Sequence, residues 1–173
     1  MIGAMHEIRD AVAKATEYLS DHPDEARYRD SHAKAQLGAG LRVVVTGPSG
    51  ERLETDMPRG IGGGAAMPSP GWYYRAAAAS CVASLIGIRA AALGVDLPVN
   101  AVEVTVDTES DDRGILGVVD GTPAGALSMR VVITLGAGRI ERAAFEAIAR
   151  WAVDHCPVTD TTRRAVPVDV ILA

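Results

Sequence analysis

Met5, Ile8, Val12, Ala15 and Leu19 recur at three- and four-residue spacing with charges between them. This predicts an amphipathic helix over residues 4–20, ended by Ser20-Asp21-His22-Pro23. Asp30 to Leu37 and Leu41 to Thr46 are strand candidates. Leu53, Thr55 and Met57 alternate with polar residues beyond the turn Gly47-Pro48-Ser49-Gly50, which predicts a hairpin. A Gly-rich stretch from Arg59 to Gly71 reads as a flexible loop with a stiff Pro68-Ser69-Pro70 end. From Trp72 to about Leu93 the chain is Ala-rich and apolar on nearly every face, the pattern of a buried helix, with Gly94 as its stop. Val102, Val104 and Val106 alternate with polar residues, as do Leu127, Met129, Val131, Ile133 and Leu135, giving two half-buried strands. Ile140, Ala144, Ala147, Ile148 and Trp151 mark a helix ending near His155. Pro157 opens a short helix through Arg164, and Val166, Val168 and Val170 predict a last strand. The fold class is α+β.

The length, 173 residues, fits one domain of ordinary size. Aromatic residues are only 4% of the chain while Ala and Val abound, so the core buries little area per residue and a large subunit interface would stabilise it. The net charge is −5 and no basic block stands out, which argues against a nucleic-acid partner. Glu7, Arg9, Asp10, Lys14 and Glu17 interrupt the first twenty residues, so a secretory signal is not expected. The apolar stretch from Ala76 to Ile88, between Arg75 and Arg89, falls short of the ~20 residues that span a bilayer. The expectation is a cytoplasmic protein without membrane contact, in which two cysteines are free or redox-active rather than a structural bridge.

Several familiar constellations fail. Gly60-Ile61-Gly62-Gly63-Gly64 imitates a dinucleotide fingerprint, but Met67-Pro68-Ser69-Pro70 intervenes before the helix and no acidic residue follows until Asp96. Asp107-Thr108-Glu109-Ser110-Asp111 hints at a calcium loop, but Asp112 stands where glycine is required and Val118 where glutamate is, leaving a solvated acidic loop. The four histidines are scattered, and neither His-Glu-x-x-His nor Cys-x-x-Cys occurs. His155 beside Cys156 reads either as part of a ligand pair or as a helix-end histidine favoured by the dipole.

The cysteines carry the remaining chemistry. Cys81 lies in the middle of the apolar helix, where it is either an inert core residue or a reactive thiol. An apolar helix interior raises a thiol pKa, and the helix start lies about 15 Å away, so a reactive Cys81 needs a cation from elsewhere. Arg42 is the candidate, its alternative being a solvated strand-edge arginine. Pro157 disfavours helical geometry at Cys156, which places that cysteine at a junction with more freedom than Cys81. Cys156 is then either a resolving thiol or a buried cap residue.

With these residues placed, the chain resembles the OsmC/Ohr family of thiol-dependent peroxidases over roughly residues 30–173. The Gly-rich loop, Pro68-Ser69-Pro70, the Ala-rich helix carrying Cys81 and the later Cys156-Pro157-Val158 carry the likeness. The resemblance implies an OsmC-like fold, with antiparallel sheets around a buried central helix. It also implies an intertwined homodimer with sites at the subunit interface, residues 1–173 as one domain and residues 4–20 as an added helix. Cys81 would attack an organic hydroperoxide or hydrogen peroxide and become a sulfenic acid. Cys156 would condense with it to a disulfide, and a dithiol or lipoyl-type reductant would reopen the bridge. Arg42 would stabilise the thiolate, Trp72 and Tyr73 would contact substrate, and no metal or organic cofactor is expected.

One position departs from the family pattern. A glutamate usually stands ten positions before the first cysteine and holds the arginine; here that position is Gly71. Arg75 has the wrong sign to replace it, whereas Glu51 or Glu54 on the hairpin could do so from another direction. Two further readings follow. One is a catalytically weak dimer on the same fold that binds a small hydrophobic ligand at its interface, with Trp72, Tyr73 and Tyr74 lining the pocket or simply packing. The other is a redox sensor that forms the Cys81–Cys156 disulfide without rapid turnover.

Overall fold

The computed structural model describes residues 2–136 and 140–172. The chain forms two compact units, one of residues 1–15 with 77–173 and one of residues 16–76.

The first unit is built on helix α2 (Pro70–Ala92), whose first residues group with the second unit. Ala78, Val82, Ile86 and Ala90 repeat every four residues, so they share one face, and each is fully buried. Val82, Ile86 and Ala90 pack with Phe145, Ile148 and Ala152 of helix α4 (Arg142–Asp154), a second stripe at helical spacing that Cys156 extends by one more turn. The strands β4 (Val102–Glu109) and β5 (Ser128–Leu135) pair antiparallel, with Val104 opposite Ile133 and Val106 opposite Val131. Their alternating apolar residues Val102, Val104, Val131, Ile133 and Leu135 close over this core. Met5 of helix α1 (Ile2–Asp21) packs on it too, while Ile8 and Leu19 further along the same face are exposed.

The α2 ends follow from local chemistry. At the start, the Ser69 side chain accepts from the Trp72 N–H and Pro70 opens the helix. At the end, Gly94 takes φ +68° and the Val95 N–H returns to the Ala90 carbonyl, which satisfies a last-turn acceptor. Within one chain only the 78/82/86/90 stripe, with Ala91, is buried. Ser80, Ser84 and Ala92 are exposed, and Cys81, Leu85 and Ile88 are half-buried. Among the described residues α2 is also the one helix long and apolar enough to cross a membrane, with a mean hydropathy of 1.3. That measure runs through the arginines that cut the expected apolar stretch short.

The second unit holds a three-stranded antiparallel sheet of β1 (Lys34–Leu37), β2 (Val43–Thr46) and β3 (Arg52–Thr55), in that order. The predicted β2–β3 hairpin is present, with Val44 opposite Glu54 and Val45 opposite Leu53. Gly50 in its turn takes φ +93°, a conformation that favours glycine.

Three expectations are corrected. The Gly-rich segment is not an open, flexible loop. Asp56, 1% exposed, accepts from the backbone N–H groups of Met57 (2.7 Å), Gly64 (3.1 Å) and Ala66 (2.9 Å), which folds the loop back onto it. Gly63 is required there, since a Cβ would lie 1.9 Å from the Met57 carbonyl oxygen. The acidic loop after β4 contains a helical turn, α3 (Asp112–Ile115), capped by Asp111, which accepts from the Arg113 N–H. The last strand does not form: residues 165–172 belong to no sheet, and Val168, Val170, Ile171 and Leu172 are each more than 80% exposed. Pro167 removes a ladder donor from that segment.

Candidate functional site

Helix α5 (Pro157–Arg163) follows α4 after a two-residue break, His155 and Cys156. Pro157 fixes the first helical position, so Cys156 becomes the N-cap with extended backbone (φ −75°, ψ 120°). Thr159, also buried, ties the junction: its hydroxyl donates to the Val153 carbonyl (2.5 Å) and to that of Cys156 (3.1 Å). Cys156 belongs to the buried cluster and is 0% exposed, whereas Cys81 is half-buried. This reverses the expectation that Cys156 is the freer of the two. The proline does end α4, but the Phe145/Ile148/Ala152 stripe carries Cys156 straight into the core. Cys81 stands one position before Val82 and is rotated away from the packed face.

Both thiols are free, and they are close enough to share a hydrogen bond. Their protonation is unequal. Burial pushes the Cys81 thiol up to about 11, and the hydrogen bond to Cys156 and the like charge on that sulfur push the same way. The Val158 N–H pulls only weakly against them. For Cys156, burial is the largest influence and also raises the pKa, yet the net direction is down. The Thr159 N–H, the Cys81 thiol, the Val158 N–H and the Thr159 hydroxyl all favour its thiolate. Of the two, the accessible sulfur, Cys81, holds its proton more tightly, and the buried one, Cys156, ionises more readily.

The other named residues lie in the second unit. Arg42, just before β2, donates from Nη2 to Glu54 Oε2 at 2.8 Å. Arg52 Nη2 reaches the other oxygen, Oε1, at 2.7 Å. The two arginines hold the Glu54 carboxyl below its ordinary value, chiefly through these hydrogen bonds. Glu51, the other carboxylate considered, instead accepts from the Ser49 N–H inside the hairpin turn at 2.9 Å. The Tyr73 hydroxyl donates to the Glu54 carbonyl at 3.2 Å, and its ring meets Trp72 edge-on with centroids 5.1 Å apart. Trp72 is 49% exposed and Tyr74 half-buried. Gly71, the second residue of α2, has open surroundings: a Cβ there meets only Arg75 Nη1 at 3.7 Å and Ser69 Oγ at 3.9 Å.

His155 is the C-cap of α4. Its Nδ1 lies 2.8 Å from the Trp151 carbonyl and its ring stacks on Trp151 at 4.2 Å, which is the helix-end role. Arg89 sits over the same indole, 4.9 Å from the ring centroid. Among the described residues no three His, Cys, Asp or Glu side chains converge as a metal site would require. Sequence reasoning missed Thr159 and Asp56. The Cys-Pro-x-Thr spacing could have flagged the first. An aspartate immediately before a Gly-rich loop, where side chains bond nearby N–H groups, could have flagged the second.

The fold recurs in solved structures. The OsmC-like protein of Mycoplasma pneumoniae is similar with a TM-score of 0.65 and 13% identity, covering 79% of this chain and 89% of that one. The organic hydroperoxide resistance protein OsmC of Legionella pneumophila gives 0.58 and 23%, covering 79% and 91%. An organic hydroperoxide resistance protein of Elizabethkingia anophelis gives 0.59 and 16%, covering 79% and 90%. A comparison with curated proteins returns no match. The family model described as OsmC-like protein matches residues 62–171, well over half of the chain and a span that holds both cysteines, so the chain belongs to the OsmC-like family.

Proposed function

We propose that the protein is a thiol-dependent peroxidase acting on organic hydroperoxides or hydrogen peroxide, with Cys81 as the attacking and Cys156 as the resolving thiol. The observation that carries this reading is the unequal exposure of two hydrogen-bonded free thiols. A peroxide can reach half-buried Cys81, and Cys156 waits behind it with no path to solvent.

The Cys81 thiolate attacks the distal oxygen of ROOH. The O–O bond breaks, ROH leaves after taking a proton, and Cys81 becomes a sulfenic acid. The Cys156 thiolate then attacks the Cys81 sulfur; an S–S bond forms, and the displaced hydroxide leaves as water. A dithiol or lipoyl-type reductant attacks the bridge, returns both cysteines to thiols and is itself oxidised to a disulfide. The lowered pKa of Cys156 suits its step, because the resolving nucleophile must be a thiolate.

The first step needs help, because a thiol held near 11 is almost wholly protonated at neutral pH. Arg42, brought to Cys81 in an intertwined homodimer, would supply the cation, and Trp72 and Tyr73 would contact an alkyl peroxide. A homodimer would also cover the apolar residues that one chain exposes, among them Val168, Val170, Ile171 and Leu172. Residues 1–173 as one OsmC-like domain, with residues 4–20 as an added helix, belong to the same reading. A second reading is a ligand-binding dimer of little activity, favoured by Gly71 at the family's glutamate position and by the exposed Trp72 indole.

The test is consumption of cumene hydroperoxide and hydrogen peroxide with dithiothreitol or a lipoylated reductant. Wild type should turn over, Cys81→Ser should not, and Cys156→Ser should stall as a sulfenic acid seen by mass spectrometry. Equal background rates in all three would leave the binding reading in place.

A further inference from the structure

We propose that Thr159 is a positioning residue for Cys156: its hydroxyl rejoins the chain across the Pro157 break and so holds the buried sulfur against Cys81. Every contact concerned lies within residues 77–173. The consequence for peroxide turnover rests on the thiol-peroxidase reading above; the consequence for disulfide exchange does not.

Pro157 has no N–H, so the Val153 carbonyl four residues earlier lacks the donor that a continuous helix would give it. The Thr159 hydroxyl takes that place at 2.5 Å. It also lies 3.1 Å from the Cys156 carbonyl, but that oxygen already accepts from the Asp160 N–H at 2.9 Å. The Val153 carbonyl is therefore the acceptor that needs the hydroxyl. The bond runs from the third residue of α5 to the last turn of α4, and Cys156 lies between its two ends. Thr159 is 4% exposed, so water does not replace the bond once it is lost. A second side-chain tie between the two helices, Arg163 to Asp154 at 3.1 Å, is exposed and holds the joint only weakly. The same pin fixes the direction of the Thr159 N–H, the strongest of the groups that favour the Cys156 thiolate. That N–H belongs to the backbone and survives substitution. The hydroxyl that aims it does not.

Thr159→Val keeps the shape of the side chain and deletes the hydroxyl, whereas Thr159→Ser keeps the hydroxyl. Dithiodipyridine, added to the reduced full-length protein, reads the two cysteines in turn. Cys81 attacks the reagent, the reagent's S–S bond breaks, and a first coloured thiopyridone leaves. Cys156 then attacks the Cys81 sulfur, the mixed disulfide breaks, a second thiopyridone leaves, and the Cys81–Cys156 bond forms. Thr159→Val should leave the first release unchanged and slow the second roughly tenfold. Thr159→Ser should restore most of the second rate. Thr162→Val, which deletes a hydroxyl bonded to the Val158 carbonyl at 2.7 Å on the same helix, should leave both rates as they were. Should Thr159→Val fail to fold, Thr159→Ala against Thr159→Ser carries the same comparison. With excess cumene hydroperoxide, the slow second step should expose the Cys81 sulfenic acid to a second hydroperoxide. Oxygen transfer then gives a sulfinic acid and the alcohol, and mass spectrometry should find that acid in Thr159→Val well before wild type.

A second release as fast in Thr159→Val as in wild type overturns the inference. Equal slowing of both releases, or equal slowing by Thr162→Val, overturns it too, since either means that α5 is merely loosened. A slow second release in a protein that consumes no peroxide keeps the positioning role and removes the peroxidase reading. Peroxide consumption with an unaltered second release does the reverse.

Discussion

The cysteine pair and the Arg42–Glu54–Arg52 hairpin handle charge in opposite ways. In the first, packing puts two sulfurs together in a nearly apolar core, and only two backbone N–H groups, one hydroxyl and the partner thiol oppose the cost of ionisation. In the second, three full charges meet on a partly exposed hairpin where water shares the cost. Packing fixes where the two sulfurs lie but penalises a thiolate. The hairpin supplies charge but little folding energy. The two regions should therefore respond differently: chemistry and stability fall together in the first and separately in the second.

The largest expected effect is on turnover. Cys81→Ser should lower peroxide consumption by at least about 10³-fold, because a hydroxyl cannot replace the nucleophile. Its melting temperature should stay near that of wild type, since Cys81 is half-buried and the change removes no packed volume. Turnover unchanged by this substitution would leave the sulfur pair without a catalytic role.

The core is most sensitive at Ile148. It is 1% exposed and lies on the stripe that leads to Cys156. Ile148→Ala should cost about 2–5 kcal/mol in chemical denaturation. It should also loosen the Cys156 junction, so disulfide formation on peroxide addition slows in the fraction still folded. A large stability loss with unchanged disulfide formation would separate placement from packing and contradict the comparison.

The loop beside the hairpin gives a smaller, pH-dependent effect. The N–H groups of Ala66, Gly64 and Met57 hold the Asp56 carboxyl below its ordinary value, with the Ala66 bond the strongest and burial opposing it. A depressed carboxyl contributes stability above its unfolded pKa, and that contribution is lost as the pH falls through the folded one. The loop should be secure at neutral pH and open only below the usual carboxylate range. Asp56→Ala should remove this acid limb and lower the melting midpoint by several degrees at pH 7. Proteolysis within residues 57–66 against pH, in wild type and variant, reads the difference.

The sequence shows the backbone of this arrangement better than its exposures. Periodicity found α2, β4 and β5 within a few residues, because four-residue and two-residue repeats of apolar side chains need no tertiary information. It misplaced Cys156. Pro157 is a strong local signal for a helix end, but whether a helix end is free or buried depends on the stripe it continues. Phe145, Ile148 and Ala152 set that stripe; the sequence pattern picks out Ile148 but puts Ala144 and Ala147 beside it instead of Phe145 and Ala152. The segment 57–66 looked flexible because glycine permits many conformations, yet one buried carboxylate is enough to select a single one. The valines near the C-terminus have strand composition but no pairing partner among the described residues, and composition alone cannot supply one. Glu51 and Glu54 are legible only as two carboxylates on a hairpin; that Glu51 accepts from the Ser49 N–H while Glu54 pairs with Arg42 depends on turn and side-chain geometry.

The smallest effect concerns the two sulfurs themselves. The Cys81 thiol is raised first by burial and then by its neighbour Cys156, as hydrogen-bond partner and as like charge. Burial belongs to the fold and persists in any conservative variant, whereas the sulfur's share can be deleted. Cys156→Ser removes the competing thiolate and leaves a hydroxyl that can donate to Cys81, so both changes favour the Cys81 thiolate. Alkylation of Cys81 at pH 8 should then run roughly three- to tenfold faster than in wild type, with the rate still climbing with pH in both. Mass spectrometry should place the label on Cys81 alone, because wild-type Cys156 is fully buried. An unchanged rate would mean that burial by itself holds the Cys81 proton and that the two sulfurs titrate independently. Cys156 would then be only a neighbour of Cys81 with no hold on its proton. A faster rate would mean that Cys156 restrains the Cys81 thiol in the reduced protein, so that any cation favouring the Cys81 thiolate must overcome two opponents rather than one.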